Sequence, residues 1–370
     1  MKVLYCTRDY SPHDQRFLTA LAETEHEVFC LRFEPDTAVT FPKGIREVKF
    51  PLPAKTQEER TSSLLRLFEK LQPDIVHAGP LHQAAYQVAL TGFSPLVSMS
   101  WGADIQYDGE RDDEAQHRIH TTLKNSTVLL GDCQAVAEKA VKRYGYPRER
   151  IFLFPWGVDL NHFTPAGSSN LRDSLGWKNQ FVFLSNRSFE PIYGVEISLR
   201  AFLEAARENS TIRLLILGKG SQEEMLRHII STSDFSDRIH FGGYHSLETL
   251  PDVYRSADVF LSASHCDGSS VSLMEALACG LPALVSDIPG NLEWIEAESN
   301  GWIFRDNDIH QMSHLMLTIS QDPDLPNKSI RARMVAEHRA DWQKNFPVLL
   351  DAYKAAINFI GAKPTIPGLK

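Results

Sequence analysis

Two carboxylates and a run of small residues stand close together in the second half of the chain. Asp267 is followed at once by Gly268-Ser269-Ser270, and Glu275 comes after it with seven residues between the two acids. Carboxylates accept hydrogen bonds from hydroxyl groups, whereas the free backbone N–H groups at the start of a helix stabilise an anion. The combination suits a ligand that carries both hydroxyl and phosphate groups, such as a sugar nucleotide.

The flanking sequence predicts the elements that would position these residues. An apolar run at Val259–Ser264 is typical of a buried strand, and Ser272-x-x-Glu275 is a capping-box pattern at the start of a helix. Gly280 and Pro282 then end that helix before a second strand begins. The alternative interpretation is that Glu275 only completes a capping box and that Asp267 is a solvated loop acid. This segment alone supports the two interpretations equally.

The global composition limits the classes of protein. The chain has 370 residues, of which 43% are hydrophobic and 23% charged, which is typical of a soluble globular protein with two or three domains. Its net charge of −9 argues against a nucleic-acid partner. The five cysteines show no CxxC spacing, and no apolar run approaches the length of a membrane helix. We therefore expect a cytoplasmic protein, with peripheral attachment to a membrane left open.

Strand-like and helix-like segments alternate along almost the whole chain, which predicts parallel sheets covered on both faces. A Pro-, Gly- and Ser-rich stretch interrupts the alternation near residues 155–170. The fold class expected is therefore α/β, with two doubly wound domains at residues 1–165 and 166–345. Residues 346–370 are expected to form a helix that returns to the first domain, followed by a tail. In such sheets ligands bind beyond the carboxyl ends of the strands, so we expect the active site in a cleft between the domains.

The central motif of the second half reads Asp267-x7-Glu275-Ala-Leu-Ala-Cys-Gly-Leu-Pro282. Further short motifs lie before and after it, at Trp156–Asp159, Asn186-Arg187, Leu217–Gly220, Asp258–Leu261, Ser286-Asp287 and Asn300–Phe304. In these motifs and in their order, the chain resembles the retaining glycosyltransferases of family 4, which have the GT-B fold of two facing Rossmann-like domains. At the central motif the family has two glutamates and an Ala-x-Ala-x-Gly-x-Pro run.

The resemblance implies roles for particular residues. Glu275 would accept hydrogen bonds from the ribose, Asp267 would contact the transferred sugar, and Arg187 would pair with the departing diphosphate. The backbone of the small-residue turn and helix start would bind the phosphates; these residues are Gly268, Ser269, Ser270, Val271 and Ser272. Gly243 and Tyr244 would border the base. No metal and no cofactor is implied, since the UDP- or GDP-linked sugar is itself a substrate.

The chain also departs from the family pattern. Many members carry a Lys-Gly pair shortly after the arginine, but here it is Tyr193-Gly194, so one cation is missing or comes from Lys219. In the first domain a His-Gly-x-Asp element is replaced by Trp101-Gly-Ala-Asp104. Trp101 would stack on a sugar or fill the wall of the cleft. Asp104 is predicted to contact the substrate, and Asp14 is predicted to be a helix N-cap and a substrate contact.

The function expected is transfer of a sugar from a nucleotide donor to a hydroxyl of a glycan or lipid-linked acceptor, with retention of the anomeric configuration. Two alternatives stay open, a nucleotide-sugar epimerase of GT-B fold and a non-catalytic binding module. A dehydrogenase is disfavoured because Gly218-Lys-Gly220 lacks the third glycine of a dinucleotide fingerprint.

Overall fold

The computed structural model describes residues 1–36, 38–50, 56–361 and 365–367. Contacts between residues divide the chain into two compact units. Unit 1 consists of Met1–Phe154 together with Phe346–Lys370, and unit 2 is Pro155–Asn345. None of the helices in the described part of the chain has the length and apolarity needed to span a lipid bilayer.

Unit 1 is built on a sheet of seven parallel strands in the order β3-β2-β1-β4-β5-β6-β7. The strands are β1 Lys2–Thr7, β2 Glu27–Arg32, β3 Arg46–Lys49, β4 Ile75–Ala78, β5 Leu96–Met99, β6 Val128–Gly131 and β7 Ile151–Leu153. The helices are α1 Pro12–Ala22, α2 Gln57–Leu71, α3 Ala84–Ala89, α4 Gly109–Arg111, α5 Asp113–Asn125 and α6 Gln134–Tyr144. The central strands are buried on both faces, as their apolar runs predict.

Unit 2 is built on a sheet of six parallel strands in the order β10-β9-β8-β11-β12-β13. The strands are β8 Phe181–Asn186, β9 Ile212–Leu217, β10 Ile239–Gly243, β11 Val259–Ser262, β12 Ala283–Ser286 and β13 Gly301–Phe304. The helices are α7 Leu171–Ser174, α8 Val195–Ala205, α9 Glu223–Ser231, α10 Leu250–Arg255, α11 Val271–Ala278, α12 Pro289–Leu292, α13 Ile309–Ile319, α14 Leu325–Arg339 and α15 Trp342–Asn345.

The last helix, α16 Pro347–Ile360, packs on strands β5, β6 and β7 of unit 1. Residues 155–165 lie in unit 2, although the sequence placed them in the first domain. The physical reason is backbone pairing, because Val158 donates to Ala340 at 2.7 Å and accepts from Trp342 at 3.1 Å. The predicted architecture of two doubly wound α/β units is confirmed.

Strand order reverses once in each sheet, and this locates the crevice where α/β sheets bind ligands. In unit 1 the reversal lies between β1 and β4, because β1 is followed by β2 and β3 on one side and by β4 on the other. In unit 2 it lies between β8 and β11 for the same reason. We call these positions the switch points of the two units.

Candidate functional site

The switch point of unit 2 brings together one arginine, one carboxylate and two hydroxyl groups. Arg187 follows β8 and donates from Nη2 to Oδ2 of Asp267, which follows β11, at 2.5 Å. Its Nη1 donates to Oγ of Ser270 and, at 3.1 Å, to Oγ of Ser272. The Arg187 and Asp267 side chains are 8% and 16% exposed. Residues that the sequence separates by about 80 positions therefore form one charged cluster at the carboxyl edge of the sheet.

Helix α11 begins within this cluster. Ser270 is its N-cap, and its hydroxyl accepts from the amide of Leu273 at 3.4 Å. The predicted capping box between Ser272 and Glu275 is wrong, because the N-cap lies two residues earlier and the third helical position is then Leu273. Glu275 consequently lies further along the helix and does not act as a capping residue. Val271, the first helical residue, packs partly buried against the core of the unit.

Glu275 is held by a buried chain of hydrogen bonds. Its side chain is 5% exposed, and Oε2 accepts from the hydroxyl of Tyr254 at 2.8 Å. The amide of Asn186 in turn donates to the Tyr254 oxygen at 2.9 Å. Burial, reinforced by the charge of Glu275, raises the pKa of Tyr254 well above 10, so its hydroxyl keeps the proton that it donates. Tyr254 therefore positions Glu275, a role that the sequence gave no reason to assign.

Tyr193 lies face-on beneath the arginine. Cζ of Arg187 is 4.2 Å from the centre of the Tyr193 ring, which is the geometry of a cation–π contact. Burial raises the pKa of Tyr193, with a further contribution from the charge of Asp267, so the ring carries no charge. The next residue, Gly194, has φ +58, and a Cβ there would lie 1.9 Å from the carbonyl oxygen of Ala263. Only glycine fits this close approach, which fixes the tyrosine beside β11.

Lys219 lies in a loop that touches Arg187, but its side chain is near Tyr244. Gly218 has φ +141, and a Cβ there would lie 2.0 Å from the carbonyl oxygen of Arg187, so the two loops touch. The Lys219 side chain is exposed, and Nζ is 5.4 Å from the centre of the Tyr244 ring. Tyr244 is 72% exposed, and Gly243 accepts from the amide of Gly218 at 2.9 Å. Lys219, Gly243 and Tyr244 thus form a second polar cluster at the carboxyl ends of β9 and β10.

The turn between β11 and α11 is supported from behind by α12 and the residues after it. Nε1 of the buried Trp294 donates to Oγ of Ser269 at 3.1 Å. Gly290 packs so closely that a Cβ would lie 2.4 Å from the Gly268 carbonyl oxygen and 2.6 Å from that of Asp267. The turn is therefore fixed by packing, and Trp294 is a second supporting residue that sequence reasoning missed. Ser269 lies 25 positions from Trp294, so no local sequence pattern links the two residues.

The predicted residues of unit 1 lie in a different environment. Asp104 is buried and accepts from the amides of Leu81, Trp101 and Ile105 at 2.8, 3.2 and 2.9 Å, and from the hydroxyl of Ser100 at 2.6 Å. These donors hold the loop after β5. Trp101 itself packs edge-on against the ring of His13 at 5.5 Å.

Asp14 is fully buried in the first turn of α1. The prediction that it is the N-cap is wrong by three positions, because Ser11 is the N-cap and Asp14 completes a capping box from the third helical position. Its carboxylate accepts from the amide and hydroxyl of Ser11 at 2.8 and 2.6 Å and from the hydroxyl of Tyr5 at 2.9 Å. Burial raises the pKa of Asp14, and these hydrogen bonds oppose that rise.

Two family models match the chain. The model of glycosyl transferases group 1 matches residues 168–340, which include the whole unit 2 cluster, and the model described as glycosyl transferase 4-like matches residues 2–130. The chain belongs to the group 1 glycosyltransferases. Within the described residues of this group 1 chain, no cluster of three or more His, Cys, Asp or Glu side chains could hold a metal ion.

Curated relatives match this group 1 chain over part of their length. The D-inositol 3-phosphate glycosyltransferase of Pseudarthrobacter chlorophenolicus is 24% identical over 258 residues, which cover 68% of this chain and 61% of that protein. The enzyme of the same name from Nocardia farcinica is 27% identical over 248 residues, covering 64% of this chain and 54% of that protein. The chain therefore spans little more than half the length of these relatives.

Solved structures show that the group 1 chain has the GT-B fold. Anabaena HepE, crystallised with UDP, superimposes with a TM-score of 0.80 at 17% identity and covers 96% of this chain and 100% of its own. WaaG, a glycosyltransferase involved in lipopolysaccharide biosynthesis, gives a TM-score of 0.76 at 18% identity, covering 97% of this chain and 100% of its own.

Proposed function

We propose that this protein is a retaining glycosyltransferase that moves a sugar from a nucleotide-diphosphate donor to an acceptor hydroxyl. The observation that carries the proposal is the cluster of Arg187, Asp267 and the start of α11 at the switch point of unit 2, with Glu275 one turn further along the helix. A cation, a helix start and two carboxylates at one sheet edge supply the contacts that a diphosphate and two sugar rings require.

The diphosphate would bind to the guanidinium of Arg187 and the backbone N–H groups of Ser269–Ser272. A guanidinium keeps its charge at every physiological pH and matches the geometry of phosphate oxygens. In transfer, the bond between the anomeric carbon and the diphosphate oxygen breaks, and the bonding electrons leave with the phosphate. Charge therefore develops on the leaving group, where a fixed cation and fixed dipoles are most effective.

The two carboxylates would hold the sugars on either side of that bond. Glu275, fixed by Tyr254, would accept hydrogen bonds from the ribose hydroxyls. Asp267 would accept from hydroxyls of the transferred sugar, and its charge would stabilise the oxocarbenium-like transition state. The acceptor oxygen attacks from the face that the diphosphate leaves, and its proton passes to the departing phosphate oxygen. This order retains the anomeric configuration without a side-chain nucleophile.

The donor and acceptor are proposed from chemistry and from the named relatives. UDP in the HepE structure favours a UDP-linked donor over a GDP-linked one. Lys219, Gly243 and Tyr244 would border the base, and Trp101 would line the acceptor side in unit 1. An acceptor that is a glycan or a lipid-linked sugar fits WaaG, which is involved in lipopolysaccharide biosynthesis, whereas the relatives named for D-inositol 3-phosphate favour a small phosphorylated acceptor. Action on such an acceptor fits a cytoplasmic location at a membrane face.

The test is a screen of UDP- and GDP-sugars for binding and hydrolysis with wild type and Arg187→Ala. We expect one donor class to bind, and we expect the variant to lose about 10²–10³-fold in turnover, as when a preorganised group that stabilises developing charge is removed. Arg200→Ala is the matched control, because Arg200 pairs only with Glu196 on the exposed face of α8 among the ion pairs of the described residues. Binding without turnover in wild type would favour a non-catalytic module, and equal turnover in Arg187→Ala would contradict the assigned role.

A further inference from the structure

The groups proposed to bind the donor are already bonded to one another in the structure. Arg187 donates to the Asp267 carboxylate and to the hydroxyls of Ser270 and Ser272. Its Nε is buried and has no hydrogen-bond partner among the described residues. A buried N–H of a cation without an acceptor is costly, so the guanidinium has capacity for a further anionic oxygen. A diphosphate that enters the turn would supply one.

The carboxylate of Asp267 opposes that entry in two ways. It occupies Nη2 of the guanidinium, which a phosphate would use, and its negative charge repels the phosphate at short range. While the pair persists, Oδ2 of Asp267 is also occupied and cannot accept from a sugar hydroxyl. Transfer of the guanidinium from Asp267 to the phosphate would therefore bind the leaving group and release the carboxylate in one event.

We propose that the Arg187–Asp267 ion pair competes with the donor's diphosphate for the guanidinium, and that Tyr193 is the positioning residue that holds the guanidinium beside the turn during this exchange. The proposal rests on the proposed function and deepens it. It implies that Asp267 becomes available to the sugar only after the phosphates are bound.

Tyr193 suits the positioning role because the guanidinium carbon of Arg187 lies over the face of its ring. This contact, with Cζ 4.2 Å from the ring centre, is not a hydrogen bond, so it leaves the guanidinium N–H groups available to either anion. The ring is neutral, and Gly194 fixes its position against Ala263. A lysine at this position would instead add a charge that repels Arg187. A single cation whose partner changes thus replaces the pair of cations seen in many family members.

Calorimetric titration with UDP and GDP tests the competition directly. We expect Asp267→Asn to bind the nucleoside diphosphate about fivefold more tightly than wild type, because the competing charge is gone, while the additional affinity gained from an attached sugar is reduced. Glu196→Gln is the matched control, since it removes an acid paired with an arginine on the surface of α8, and its affinity should equal that of wild type.

The outcomes separate the two proposals. If neither nucleotide binds to wild type or to any variant, the proposed function and the exchange both fail. If wild type binds one nucleotide and Asp267→Asn binds it equally or more weakly, only the exchange is overturned.

Replacement of Tyr193 tests the positioning role. Tyr193→Leu should weaken nucleoside diphosphate binding about tenfold and raise the KM for the donor more than it lowers kcat. Tyr193→Phe keeps the ring and should restore both values. Tyr86→Leu, which removes a comparable arginine–tyrosine contact with Arg118 at 5.4 Å in unit 1, is the control. Equal losses in the Phe and Leu variants, or none in Leu with an unchanged melting temperature, would overturn the assignment.

Discussion

Both units place acidic residues beyond the carboxyl ends of their parallel strands, but the acids have different partners. In unit 1, Asp14 and Asp104 are buried and accept from neutral donors, namely backbone amides and the hydroxyl groups of serine and tyrosine. In unit 2, Asp267 remains partly exposed and is paired with the guanidinium of Arg187. Glu275 is buried like the unit 1 acids, yet its partner is the tyrosine hydroxyl of another helix.

The difference shows that the partner of a carboxylate tells more about its role than its residue type or its place in the fold. A carboxylate surrounded by neutral internal donors stabilises a loop, and exchanging those donors for a ligand would leave them unsatisfied. A carboxylate paired with an arginine at the edge of the sheet can be released from that pair, because the arginine can donate to another anion instead.

The largest effect that would separate the two switch points is expected from Asp267→Asn. Turnover of the donor should fall about 10²–10³-fold, because the charge that stabilises the transition state is lost. The melting temperature should fall only modestly, because the amide keeps its size and its oxygen can still accept from Arg187. Steady-state kinetics with thermal unfolding of the same preparations check both statements. Wild-type turnover in this variant would contradict the assigned difference between the acids.

Asp104→Ala is expected to have the opposite pattern. Its four donors lose their acceptor, which should lower the free energy of unfolding of unit 1 by about 3 kcal/mol. Hydrogen exchange should accelerate at the amides of Leu81, Trp101 and Ile105, whereas nucleotide affinity in unit 2 should be unchanged. Asp104→Asn keeps one acceptor oxygen, so its free energy of unfolding should lie between those of wild type and Asp104→Ala. Unchanged hydrogen-exchange rates at these amides would contradict the conclusion that Asp104 stabilises the loop after β5.

Acid should destabilise unit 1 through His77 on β4. Burial lowers the pKa of this imidazole to about 3 from an ordinary value of 6.5. The folded state therefore resists protonation, and stability that is present above pH 6.5 is lost as the pH falls toward 3, at up to about 1.4 kcal/mol per pH unit. His77→Gln cannot titrate but can still bond to the Tyr353 hydroxyl, which contacts Nδ1 at 2.7 Å.

The measurement is urea unfolding of wild type and His77→Gln at several pH values between 3 and 7. As the pH falls, the free energy of unfolding of wild type should decrease more steeply than that of His77→Gln. Parallel curves across this range would show that the histidine does not contribute.

The smallest effect is expected from Tyr254→Phe. Loss of the hydroxyl removes one fixed donor from Glu275, so ribose binding should weaken by about fivefold, the effect of one ordinary hydrogen bond. The informative readout is the affinity ratio between a nucleoside diphosphate and its 2′-deoxy analogue, which should fall toward one. A purely structural tyrosine would weaken both ligands equally and leave the ratio unchanged.

Much of the fold could be predicted because its strands are buried apolar runs. The apolar runs Ile75–Ala78, Leu96–Met99 and Ala283–Ser286 predict strands with the same bounds as the observed β4, β5 and β12, and the amphipathic pattern of Gln134–Tyr144 predicts the bounds of α6. Strand β3 was missed because Arg46–Lys49 is an edge strand that is mostly exposed and has no apolar run. Strand β13 was quoted as a motif but not predicted as a strand.

The site could be predicted in part. Arg187, Asp267, Ser270 and Ser272 do meet, because they follow strands that are neighbours at the switch point. The positions of Tyr254 and Trp294 could not be predicted, since each acts on a residue 21 or 25 positions away through tertiary packing. The capping box at Ser272 was wrong because the sequence offers several serines, and only the backbone of the turn selects Ser270 as the cap.

Helix α16 gives unit 1 a discontinuous chain. Leu349, Ala352, Tyr353 and Ala356 are all fully buried, and the helix packs on β5, β6 and β7. On the ribosome, residues 347–360 emerge only after all of unit 2 has been synthesised. Unit 2 can thus complete its core during translation, whereas unit 1, whose strands all precede unit 2, must wait for α16 before its own core is closed.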